Sequence, residues 1–178
     1  MSTKESKTKV LIREYLLNEG HLRENLKNPK LDFGFRFEFP KGKTPDGKST
    51  GRNFIVVRPK KKDFIEISSS TQISPEHVKA LDSLKDMKKE QFFSDIRKLF
   101  FLQNVFFQID FKNYRYAVID RIYLTRNGTV SKDFFYRIVR KLFNCVVYSI
   151  ILLHEYTSGK VKPEDFSTFK GPDTSLYL

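Results

Sequence analysis

Residues 31 to 39 read Leu-Asp-Phe-Gly-Phe-Arg-Phe-Glu-Phe, five apolar positions alternating with small or charged ones. A period of two places all five rings and chains on one side of an extended backbone, as in an antiparallel strand with one buried and one wet face. A loop rich in Lys, Gly and Ser follows, and then a second apolar run from Asn53 to Arg58. That loop, Gly42 to Ser49, satisfies the phosphate-binding pattern G-x-x-x-x-G-K-[ST] in every letter. Its setting is wrong for one. A phosphate loop sits between a buried strand and a helix whose N-terminus helps to hold the anion, whereas here a strand is expected on each side. Pro45 inside the loop and Asp46-Gly47 as a turn fit a long hairpin connection better.

Periodicity divides the rest into helix, three strands, long helix, two strands, helix and tail. Val10, Leu11, Tyr15, Leu16 and Leu17 predict a helix over about residues 5 to 19, ended by Gly20 as a left-handed cap. Leu22 and Leu26 could extend it by a turn or two before Asn28-Pro29. Strands are expected at 31–39, at 54–57 and at 63–69, the second closed by Pro59. Ser74-Pro75-Glu76 starts a helix that the spacing of Val78, Leu81, Leu84, Met87, Phe92, Ile96, Leu99 and Phe100 carries unbroken to about Leu102. Alternation over 105–111 and 114–124, with Lys112-Asn113 as a two-residue turn, predicts a hairpin. Ser131 caps a last helix to about His154 whose stripe, from Phe134 to Ile151, is the most apolar of the chain.

This pattern predicts an α+β domain over residues 1–156 with a mainly antiparallel five-stranded sheet, helices packed chiefly on one face, in the order αβββαββα, and an arm or disordered tail over 157–178. With 178 residues and 18 Phe, the chain can fill one substantial core. The apolar stretch 142–153 is shorter than the ~18 residues that span a bilayer, and the polar N-terminus has no apolar signal region, so a cytoplasmic protein without membrane insertion is expected. The single Cys145 lies in that apolar stretch, where an inert core thiol is the natural reading.

The element order, over residues 4 to 156, resembles the fold of type III secretion chaperones and the small bacterial and archaeal domains related to them. The resemblance implies a non-enzymatic protein-interaction module without an active site. It also implies that sheet and central helix make peptide-binding or dimer surfaces, with a protein partner or self-association as a homodimer. In charge the chain differs from those chaperones, which are usually acidic, for it carries a formal +12.

That charge is unevenly placed. Lys41, Lys43, Lys48, Arg52, Arg58, Lys60, Lys61 and Lys62 stand against Asp46 alone, and Arg121, Arg126, Lys132, Arg137, Arg140 and Lys141 against Asp133 alone. The two blocks hold the whole excess of +12. Of these, Lys41 to Lys62 together with Arg137, Arg140 and Lys141 are the candidate contacts for an acidic partner. Cations displace counterions and neighbouring rings stack on bases, so nucleic-acid binding is the alternative function. Solvated hairpins and a lysine-guarded sheet edge explain the same residues without any ligand. A nucleotide-binding enzyme built on residues 42–49, with Asp120 as magnesium partner, is a third reading. Asp110-Phe-Lys112 with Pro45-Asp46 has the layout of a metal-dependent nuclease, but the halves are far apart in sequence. His21, His77 and His154 are scattered, so neither a metal site nor a cofactor is expected.

Overall fold

A computed structural model describes residues 6–47 and 49–158; Lys48 and, of the tail expected over 157–178, residues 159–178 lie outside the described residues, while Thr157 is buried at the end of the last helix. The first helix, α1 (Lys7–Asn18), begins where Ser6 Oγ accepts a hydrogen bond from the Lys9 amide. It ends with Gly20 at φ +68°, the Gly20 N–H donating to Leu17 O and the His21 N–H to Leu16 O, the paired bonds of a Schellman cap. Its buried stripe is Thr8, Ile12 and Leu16, not the stripe through Val10 and Leu17, which are exposed.

The expected continuation through Leu22 and Leu26 is a strand instead, β1 (Leu22–Asn25). The left-handed turn at Gly20 swings the chain against β2 (Leu31–Phe39), where Leu22 opposes Phe37 and Asn25 opposes Phe35. Tertiary pairing decides the matter, because β1 satisfies backbone groups that β2 would otherwise leave bare. Gly34 contributes too, since a Cβ there would stand 3.1 Å from the Leu26 side chain that covers it.

Strand β2 pairs antiparallel with β3 (Arg52–Pro59), with Phe39 opposite Arg52 at one end and Leu31 opposite Pro59 at the other. The loop between them is a hairpin arm: Lys43 bridges Ser49, and the Gly47 N–H closes a turn on Thr44 O. A strand, not a helix, follows it, so the would-be phosphate loop does not lead into a helix N-terminus. Strand β4 (Phe64–Gln72) completes a meander and runs three residues past its expected end.

The single long helix expected over 74–102 is two helices, α2 (Pro75–Asp82) and α3 (Asp86–Leu102). Ser83 Oγ donates to Ala80 O at 2.7 Å, competing with the helical ladder, and Lys85 is extended at ψ 143°. The break lets Asp82 receive both Lys89 Nζ, at 2.5 Å, and the Tyr114 hydroxyl. Those two donors hold the Asp82 carboxyl below its ordinary range. A stripe drawn across the break loses phase there, and Met87 is exposed.

Strands β5 (Phe106–Asp110) and β6 (Arg115–Tyr123) form the expected hairpin, but through the four-residue link 111–114, not a two-residue turn. Asp110 holds that link by accepting from the Asn113 amide and side chain. Among the described residues the sheet is therefore six-stranded, in the order β1-β2-β3-β4-β6-β5, and antiparallel at every pairing. The five-stranded sheet in the order αβββαββα is corrected to αββββααββα; the α+β class stands.

Helix α4 (Lys132–Thr157), capped by Ser131, is the most buried of the helices. It lies on the face made by Phe35, Phe37, Phe54, Val56, Ile67 and Val118, with Phe37 between Phe54 and Phe135 at ring separations of 5.5 and 6.1 Å. Tyr116 and Ser149 share a buried hydrogen bond of 2.6 Å between sheet and helix. Cys145 is fully buried, and burial pushes its thiol up to about 11. None of the described helices is long and apolar enough to cross a membrane.

Candidate interaction surface on the open face of the sheet

Alternate residues of the same strands point away from the helices. On β4, β6 and β5 these are Phe64, Glu66, Ile119, Arg121, Tyr123 and Phe106, all partly or wholly exposed. The pairing order gathers them: Phe64 opposes Tyr123, Glu66 opposes Arg121, and Phe106 opposes Ile119. Cross-strand neighbours on one face are close enough for side chains to interact. The Arg121 guanidinium lies 4.7 Å from the Phe64 ring centre and 5.3 Å from that of Phe106, while its Nε donates to Glu66 Oε2 at 2.9 Å. Tyr123 meets Phe64 edge to face at 5.9 Å. Phe106 and Tyr123 are 59% and 68% exposed, so the rings interlock yet keep a face to solvent. Large exposed rings grouped on one surface, as opposed to scattered singly, mark an interaction site.

The turn that enters β4 carries Lys60, Lys61 and Lys62, all exposed, two residues before Phe64. Its shape is fixed by Lys61 at φ +62°, by Arg58 Nε donating to Lys62 O, and by the Arg58–Asp32 ion pair at 3.3 Å. The Lys60 amide donates to Lys30 O, which brings a fourth lysine alongside. Among the described residues none of these four lysines is in an ion pair, nor is Arg126, three residues beyond Tyr123.

The remaining candidate cations lie elsewhere. Lys41 packs across Gly20, its Nζ 2.7 Å from where a Cβ would stand, and Lys43 sits in the hairpin arm. Arg52, at the end of the sheet opposite Lys60 to Lys62, points to the helix side, where burial pushes its guanidinium below its ordinary value. On α4, Arg137 pairs with Asp133 at 2.6 Å and Lys141 with Asp120 at 2.5 Å. Arg140 lines an open cleft of ≈ 420 Å³ with His21, Phe39 and Tyr136. One sequence block is thus split between two ends of the sheet, and of its described cations only Arg58 and Lys60 to Lys62 adjoin the ring cluster. Lys48 lies outside the described residues.

Among the described residues, none of the catalytic layouts weighed from sequence is assembled. Strands β4 and β6 separate Asp110 from the arm that carries Asp46, and Asp120 is committed to Lys141. His77 and His154, scattered in sequence, do meet. Their rings stack at 5.4 Å between α2 and α4, with Ser74 Oγ 2.8 Å from His77 Nδ1. Burial, with His77 and Arg52 nearby, holds His154 below its ordinary value, and burial does the same to His21. What sequence reasoning missed is the set Lys30, Phe64, Phe106, Arg121 and Tyr123 as one surface. The available signal was an alternation of exposed aromatics in three strands, unreadable as a cluster without the strand order.

No curated protein matches the chain. Among solved structures it is similar to an uncharacterised protein from Methanothermobacter thermautotrophicus, at 22% identity and TM-score 0.73, covering 85% of this chain and 99% of that one. That likeness shows the fold alone. YbjN from E. coli matches at 12% identity and TM-score 0.41 over 82% of this chain and 89% of its own, too remote to carry an argument. Neither is described as a secretion chaperone. A family model matches residues 8–153, so the chain belongs to the family described as Uncharacterized conserved protein (DUF2299).

Proposed function

We propose that this chain is a non-enzymatic interaction domain that takes an acidic partner on the open face of its sheet. One observation carries the reading: the exposed, mutually packed cluster of Phe64, Phe106, Arg121 and Tyr123, bordered by the unpaired lysines 60 to 62. Rings give a partner apolar area to cover, and border cations steer an anionic one into place. The phosphate-loop reading is left without support from geometry, because a strand follows the loop.

Titrating the full chain with a polyanion while following backbone amide shifts tests the proposal. Both polyglutamate and a single-stranded oligonucleotide serve as probes. Shifts concentrated at residues 60–66, 106 and 119–123 are expected with at least one of them. Shifts confined to Arg137 and Arg140 on α4, or none with either polyanion, would overturn it.

A further inference from the structure

Resting on that reading of the open face, we infer that its partner is a single-stranded nucleic acid, whose bases stack on Phe106 and Tyr123 and whose phosphates meet Lys60, Lys61 and Lys62. On the ring cluster itself the cation is already spent, because Arg121 is paired to Glu66 at 2.9 Å. An acidic polypeptide laid across these strands would bring carboxylates to a place where Glu66 repels them and no uncommitted cation answers. The cluster presents ring faces and a guanidinium plane, and the uncommitted charge stands at its border. A polymer with flat, uncharged groups on one side and a charged backbone on the other fits that division, and single-stranded nucleic acid has this construction. A duplex does not, since its base faces are stacked away.

The dimensions agree. From Tyr123 to Ile119, the residue opposite Phe106, is four residues of strand, about 13 Å at ~3.3 Å each. Arg121 lies midway and touches the rings on both flanks. The border lysines continue the line past Phe64, and Arg126 stands beyond Tyr123. Two or three bases over the cluster, with the following phosphates on the lysine turn, is the usual scale for sheet-borne recognition. The rings read no sequence, because every base has a π-face, so tolerance of base identity is expected.

The test uses the full chain with a fluorescent hexauridine, the matching duplex, and polyglutamate of the same length, at two salt concentrations. Hexauridine should bind more tightly than either of the others. Tyr123→Ala and Phe106→Ala should each weaken it at least about fivefold while leaving the melting curve in place, both side chains being exposed. Replacing Lys60, Lys61 and Lys62 together by Ala should reduce the slope of log affinity against log salt by about two. Polyglutamate binding at this face as tightly as hexauridine would overturn the nucleic-acid inference and leave the acidic-partner reading standing. Hexauridine binding unchanged by both ring substitutions would overturn the inference as well. Absence of binding to any of the three at low salt would overturn both.

Discussion

The two faces of the sheet are made from the same strands, residue by alternate residue, and they behave as different materials. Phe33, Phe35 and Phe37 on β2 and Phe54 and Val56 on β3 are sealed against α4 and the other helices. Phe64, Phe106 and Tyr123, one residue out of phase, remain in contact with solvent. The difference teaches that an aromatic ring in this chain is no guide to its role until its phase is known. In phase with Phe37 it holds the fold; out of phase it touches only its neighbours and leaves one side free.

The comparison breaks most sharply with a charge. Phe37→Asp places a carboxylate between Phe54 and Phe135 without a partner, at a cost of several kcal/mol against the ~5–15 that holds a domain together, so the variant should be unfolded by circular dichroism. Phe106→Asp, on the open face, should cost only about 1 kcal/mol, the worth of its contacts with Arg121 and Ile119. Similar melting for the two would mean that the faces are wrongly assigned. Next in size, Phe54→Ala should cost about 3–5 kcal/mol by denaturant titration, for it opens a cavity beside Phe37.

A smaller effect comes from two imidazoles on the closed side, His21 buried and His154 half-buried. Folding holds His154 and His21 below their ordinary value, so below about pH 6.5 the unfolded chain takes up protons that the folded chain refuses. Their contribution is therefore complete above about 6.5 and is lost as pH falls through the folded values. Melting temperature should drop on mild acidification, and less so in His154→Gln; a flat profile would argue against neutral histidines. Gly20→Ala should cost about 1–2 kcal/mol by denaturant titration, from the left-handed backbone and the crowding of Lys41.

Sequence made the closed face legible because alternation is a local signal: β2 and β3 fall where the rings of Phe33 to Phe37 and Phe54 place them. It misled where a distant partner decides. Leu22 and Leu26 have helical spacing, yet Leu22 to Asn25 is a strand because β2 needs a neighbour, and the helix break at Ser83 serves the meeting of Asp82 with Tyr114. The open cluster was illegible for the same reason. Phe64, Phe106 and Tyr123 become neighbours only through the order β4-β6-β5, which no local pattern encodes.

That order also sets a timetable for folding. Strand β4 pairs with β6 over nine residue pairs, Phe64 with Tyr123 through Gln72 with Arg115, and both helices α2 and α3 and strand β5 lie between them in the chain. Such non-local pairing is slow, since a long loop must close before any contact rewards it. During synthesis the meander β1 to β4 emerges first and waits with β4 as its uncovered margin, Ile65 and Ile67 included. Until β6 arrives, the strand that will lie at the centre of the sheet is its edge, and the growing chain is then most open to pairing with the wrong neighbour.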